Sequence, residues 1–251
     1  MDLICVKDIR KVYRVGQEKV VALSRISLNV RQGEICCILG TSGSGKSTLL
    51  HIMAGLEKPS RGSVRIAGEN VTSLSEKQLA LFRQKNVGFV FQSYNLMPTM
   101  TALENVAMPL MFRGVSRAER EKKAAHMLKA VDLGKRMTHR PAQMSGGQQQ
   151  RVGIARAFVA HPKIVFADEP TGNLDTKTTR DVMELMVGMT RSFRQTLILV
   201  THDRDVARYA DRIVSIVDGS IQSDVQNQSV FGRDGPKEAG KSGNMAGGET
   251  A

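Results

Sequence analysis

Eight residues restrict this chain's fold more than any others. They are Gly40-Thr41-Ser42-Gly43-Ser44-Gly45-Lys46-Ser47, the pattern G-x-x-x-x-G-K-S. An apolar run, Ile35 to Leu39, leads in, and a helix-like stretch, Lys46 to Ala54, leads out. The glycines let the backbone curl until successive N–H groups point at one set of phosphate oxygens. The N-terminus of the following helix adds positive potential at the same point. Lys46 brings a mobile charge for the outer phosphates, the Ser47 hydroxyl suits Mg²⁺, and Thr48 completes the loop. A strand must therefore stop at Leu39 and a helix must start beside it.

The rest of the chain agrees. Short apolar runs at Ile26 to Val30, Glu34 to Leu39, Val64 to Ile66, Val87 to Phe91, Ile164 to Ala167, Thr196 to Val200 and Ile213 to Val217 suit strands. Several are continuously apolar, as strands buried on both faces of a parallel sheet must be. Helical stretches are expected at Glu76 to Lys85, Arg117 to Val131, Gly147 to Ala160, Lys177 to Met189 and Asp203 to Ala210. The alternation predicts an α/β fold over 1–222. Residues 93–160 hold no convincing strand and suggest an inserted helical lobe. From 223 to 251 the sequence is rich in Gly, Ser and Asn, and a disordered tail is expected. With 41% hydrophobic and 24% charged residues among 251, a sizeable core is possible. No run approaches the roughly 20 apolar residues of a membrane span, and the charged N-terminus has no signal-peptide core. A cytoplasmic protein is expected. The three cysteines, Cys5, Cys36 and Cys37, suit buried reduced thiols better than a disulfide framework. The net charge of +12 fits either a solvated basic surface or a phosphate-bearing or anionic partner.

A second motif ends the run Ile164-Val165-Phe166-Ala167 in two acids, Asp168 and Glu169. Beside a phosphate-binding loop, Asp168 can hold Mg²⁺ and Glu169 can polarise a water for attack on the γ-phosphate. A third, Met144-Ser145-Gly146-Gly147-Gln148-Gln149-Gln150-Arg151, opens a helix. Here the chain resembles the ATP-binding cassette family, whose signature reads L-S-G-G-x-Q. Met144 stands where leucine is usual, a change of similar volume. The resemblance covers residues 2 to 222.

It implies a P-loop ATPase fold: a mainly parallel sheet core, an antiparallel β subdomain and the helical lobe. It implies ATP and Mg²⁺ as ligands and a head-to-tail homodimer. In such a dimer Ser145, Gly146, Gly147 and Gln148 face the nucleotide of the other subunit. By the same resemblance Gln92 is the glutamine-loop residue near metal and water. His202 is the switch histidine beside Glu169, Asp175 the acid that communicates across the dimer, and Tyr13 the ring that stacks on adenine. The segments 170–175 and 91–98 look like the branch of macrolide-exporter, lipoprotein-release, antimicrobial-peptide-resistance and FtsE-type ATPases. The family implies a separate integral membrane permease, with this chain peripheral on the cytoplasmic side of the membrane. One short helix of that permease would enter a groove expected along Gln92 to Val106, where Leu96, Met97, Met100 and Leu103 either line the groove or fill the lobe core. The branch implies export or mechanotransmission. An FtsE-like role in cell-wall or division machinery is the alternative. No heptad run supports a chromosome-maintenance ATPase, and a nucleic-acid module has only the net charge in its favour. No nucleic acid is expected.

Overall fold

The structure, a computed structural model, describes residues 2–227. Two sheets carry the fold. The first is antiparallel, ordered β2-β1-β4-β5, from β1 (Asp2–Val15), β2 (Glu18–Arg31), β4 (Arg61–Ile66) and β5 (Glu69–Asn70). The second is ordered β10-β9-β3-β8-β7-β6. It contains β3 (Ile35–Leu39), β6 (Val87–Phe91), β7 (Ile164–Asp168), β8 (Thr196–Thr201), β9 (Arg212–Val217) and β10 (Ser220–Gln226). Its pairs are parallel except β9–β10.

Period-2 geometry divides each central strand between two cores. Cys37, Val165, Ala167, Leu197 and Leu199 face the helical lobe and α6 (Thr176–Ser192). Cys36, Ile38, Phe166, Ile198 and Val200 face the antiparallel sheet and α1 (Lys46–Met53). Both central thiols are buried and all three cysteines are free. Burial pushes the Cys37 thiol up to about 12 and raises Cys36 as well.

The lobe between β6 and β7 consists of α3 (Ala102–Phe112), α4 (Arg117–Ala130), α5 (Gly146–Phe158) and two short 3-10 turns. Side chains start these helices. Thr101 and Glu104 form a reciprocal cap on α3, and Ser75 and Gln78 form one on α2 (Glu76–Asn86). Ser116 caps α4, Asp175 caps α6, and Asp203 caps the short α7 (Arg204–Ala207). Buried Asn105 pins the approach to α3: its amide donates to the Met97, Met100 and Thr101 carbonyls and its oxygen accepts from the Met97 N–H.

Three elements depart from the sequence expectations. β1 has charged residues along its length and a kink at Asp8, whose φ is 51°, so no clean alternation marks it. α3 carries Pro109 in its interior, which masks the helical signal. The expected boundary at residue 222 is also corrected. β10 continues through Gln226, because an edge strand needs backbone pairing more than apolar side chains. Asp224, one of those polar residues, accepts from the Arg212 guanidinium. The remainder of the expected tail, 228–251, lies outside the described residues.

Candidate nucleotide site

The loop between β3 and α1 wraps a cleft of about 860 Å³. Two contacts explain its glycines. A Cβ on Gly40 would sit 2.3 Å from the Ile216 carbonyl oxygen. Gly45 has a φ of +99°, and a Cβ there would lie 2.5 Å from the Ala22 carbonyl oxygen. β2 and β9 thus press the loop from outside, while the Gly40 and Ser44 N–H groups bond the Thr201 and Thr41 carbonyls.

α1 differs from the other six α-helices of the described residues: its N-cap, Gly45, forms no side-chain capping bond. Its first-turn N–H groups receive no side-chain acceptor, as an anion site requires. Lys46 is buried, and its ammonium donates to the Thr41 carbonyl at 2.8 Å. The Ser44 hydroxyl is buried and has no protein partner. A lysine curled over the loop and an uncapped helix start together suit a polyphosphate.

Ser47 donates to Asp168 Oδ1 at 3.1 Å, joining the loop to the end of β7. Burial holds the Asp168 carboxyl above its ordinary value, while the Ser47 bond pulls the other way. Among the described residues no group of three or more His, Cys, Asp or Glu side chains could hold a metal alone. One hydroxyl and one carboxylate suit an ion that reaches the site already carried by phosphates, which is the habit of Mg²⁺.

Glu169 follows with a φ of 46°, a left-handed conformation strained for a residue with a side chain. Its N–H bonds the Val200 carbonyl at 2.9 Å, so β8 holds the turn. His202 Nδ1 lies 2.9 Å from Glu169 Oε1, and the Thr201 hydroxyl donates to Oε2 at 3.4 Å. Glu169 is largely buried and His202 is exposed to the cleft. Gln92, at the end of β6, also lines it, and its carbonyl accepts from Asn173 Nδ2 at 3.1 Å.

The structure therefore gathers Gly40, Thr41, Ser42, Gly43, Gly45, Lys46, Ser47, Thr48, Gln92, Glu169 and His202 around one cleft, with Ser44 and Asp168 behind them. Ser145, Gly146, Gly147, Gln148, Asp175 and Tyr13 are not among its lining residues. Ser145 caps α5: its hydroxyl accepts from the Gln148 N–H at 3.4 Å, and Gln148 Oε1 accepts from the Ser145 N–H at 3.1 Å. Asp175 accepts from the Thr178 N–H and hydroxyl, which hold its carboxyl below the usual range. Tyr13 donates to Glu57 at 2.7 Å, with the Lys11 ammonium 5.0 Å from its ring centre.

Sequence reasoning assigns no role to Thr201 or Asn173, although Thr201 adjoins His202 and Asn173 lies within the segment 170–175. Arg204, Ser215 and Gln222 also reach the cleft, from segments that carry no motif. A cavity of about 650 Å³ is lined by Leu56, Leu81, Phe89, Phe91, Met108 and Phe112 among others, not by Gln92 to Val106. Leu96 and Leu103 pack against the lobe core instead.

Comparison with known proteins agrees with this geometry. The family described as ABC transporter matches residues 23–172. An uncharacterized ABC transporter ATP-binding protein of Thermotoga maritima is 48% identical, over 90% of this chain and 96% of its own length. The lipoprotein-releasing system ATP-binding protein LolD of Geobacter metallireducens is 48% identical, over 88% of this chain and 99% of its own. The macrolide export ATP-binding/permease protein MacB of Brucella melitensis is 48% identical, but the chain spans only 35% of its length. Among solved structures, the dimeric post-hydrolysis state of the ATP-binding cassette MJ0796 bound to ADP and Pi matches with a TM-score of 0.83. It is 42% identical over 89% of this chain and 98% of its own. Similarity of this depth, over nearly all of the described fold, makes the chain a member of the ABC transporter family and one of its ATP-hydrolysing cassettes.

Proposed function

We propose that the chain is the motor subunit of a membrane transporter. Two copies close head to tail on two ATP molecules and drive a separate integral membrane permease in export or in mechanical work at the outer face. The observation that carries this reading is the split site. Phosphate loop, acids and histidine share one cleft, while the Ser145 helix start lies outside it and can serve a second copy's nucleotide. The solved relative is a dimer.

In this reading the loop N–H groups and Lys46 bind the β- and γ-phosphates. Ser47, Asp168 and Gln92 would hold Mg²⁺, which supplies charge neutralisation on those phosphates. Glu169 takes a proton from the attacking water, and His202 and Thr201 hold its carboxylate in place. Tyr13 stacks on adenine, fixed from behind by Glu57. Ser145 and Gly147 present a hydroxyl and an N–H to the partner copy's γ-phosphate, and Asp175 lies on the same dimer face. Closure excludes water, and cleavage of the γ-phosphate releases the dimer. The apolar groove between α2, β6 and α3 receives one helix of the permease. No helix among the described residues is long and apolar enough to cross a membrane; in this reading the chain acts from the cytoplasmic side.

The test is co-purification. Tagged Glu169→Gln protein is isolated from gently solubilised membranes of its own cells, with and without ATP. An integral membrane protein recovered only with ATP supports the motor role, and its sequence separates a permease from cell-wall machinery. Recovery of ribosomes or nucleic acid, or of no membrane protein, overturns the role.

A further inference from the structure

Arg156 has no part in the mechanism so far, yet it bonds the bend after Gln92, lines the apolar groove and belongs to the helix that Ser145 caps. It sits near the C-terminal end of α5, the helix whose first turn carries Ser145. The side chain is half-buried, and no ion pair joins it to a carboxylate among the described residues. Burial lowers its pKa. Its guanidinium instead donates to two successive carbonyls, Tyr94 at 2.8 Å and Asn95 at 2.5 Å.

Those two residues form the bend that follows Gln92. Both are left-handed, with φ of 58° and 48°. Asparagine tolerates that conformation but tyrosine is strained in it, and the bend's own bonds, from the Tyr94 N–H to the Phe91 carbonyl and from the Asn95 N–H to the Ser93 carbonyl, are joined by the arginine's two. The Tyr94 hydroxyl in turn lies against the start of α5: a Cβ on Gly146 would meet it at 2.7 Å. Arg156 also lines the apolar groove beside Phe89, Phe91 and Phe112. The other polar side chains of that groove bond elsewhere, Arg83 to the Gly55 carbonyl and Gln84 to the Phe112 carbonyl.

We propose that Arg156 is a positioning residue for ATP hydrolysis. By clamping the Tyr94 and Asn95 carbonyls it fixes the bend after Gln92. Through the Tyr94 ring it also keeps the Ser145 helix start in register with that bend. One side chain in the groove wall thus sets both the glutamine facing its own nucleotide and the helix start offered to the partner copy. This rests on the reading of Gln92 and Ser145 given above. A planar fork with two parallel donors suits two adjacent carbonyls, and a lysine cannot copy it in full.

The experiment compares full-length wild type, Arg156→Gln, Arg156→Lys and Gln92→Ala. ATP turnover is measured against ATP concentration, ATP affinity with a fluorescent analogue, and folding by thermal melting. Arg156→Gln should lose at least about ten-fold in kcat while its nucleotide affinity stays within about two-fold, because the phosphate loop is untouched. Arg156→Lys should fall between it and wild type. A folded Arg156→Gln with wild-type kcat overturns the proposal, as does parallel loss of affinity and kcat in both arginine variants. If Arg156→Gln does not fold, Arg156→Lys decides by the same criteria. Full turnover by Gln92→Ala would instead sink the reading of Gln92, and the arginine's role with it. Loss in Gln92→Ala with none in the arginine variants sinks the arginine proposal alone.

Discussion

Replacing Gly45 by alanine should cost most of the nucleotide affinity while adding a single methyl group. Gly45 has a φ of +99°, and the new Cβ would lie 2.5 Å from the Ala22 carbonyl oxygen and 2.9 Å from Leu23 Cδ2. Carbon and oxygen tolerate about 3.3 Å, so the loop must retreat from β2 by about 0.8 Å. The oxygen belongs to strand backbone and cannot yield cheaply. The N–H groups would move with the loop toward the cleft, and a phosphate oxygen that one of them would meet at about 2.9 Å would be crowded to about 2.1 Å, so the phosphates could no longer seat against all of them. Losing about two charge-assisted bonds at about 1.5–3 kcal/mol each removes about 3–6 kcal/mol of binding. That is a rise of roughly two to four orders of magnitude in Kd. Calorimetric titration with ATP and Mg²⁺ reads it directly, beside a melting curve showing that the variant is folded. A Kd within about three-fold of wild type would refute the reasoning, since the crowding at Ala22 would then carry no cost.

Asp168→Asn should raise the melting temperature at neutral pH and abolish turnover. The Asp168 carboxyl sits above its unfolded value because burial penalises its charge. Its folded form is therefore least costly below the unfolded pKa, about 3.9, and the protein loses stability as pH rises through the folded pKa. The gain from asparagine should vanish in acid, and a melting series from pH 3 to 8 checks it. Ser145→Ala should remove the cap on α5 and lower the melting temperature by about 2–4 °C. In the Glu169→Gln background it should leave ATP binding intact but abolish the ATP-dependent dimer seen by size exclusion. A thiol reagent at pH 8 should label Cys5 in the native protein, and all three cysteines after denaturation, as counted by mass spectrometry.

The sequence by itself determined the chemistry. The order Gly40 to Ser47, Asp168-Glu169 and Ser145-Gly146-Gly147 depends on local geometry: a strand end, a tight turn and a helix start, each legible within a few residues. The continuously apolar strands marked the parallel sheet for the same reason. What needed the tertiary structure were the contacts between distant segments. Polar β10 is a strand because β9 offers it an open edge, and α3 is a helix despite Pro109 because the lobe packs around it. No motif reveals that Ala22 and Ile216 shape the phosphate loop, since a close approach depends on which strands the fold places behind it. The position of the apolar groove and the reach of Arg156 to Tyr94 are of the same kind. Residues 62 positions apart meet only after the sheet and lobe have closed on each other. The position of the Ser145 helix start, outside the cleft that the phosphate loop lines, has the same cause.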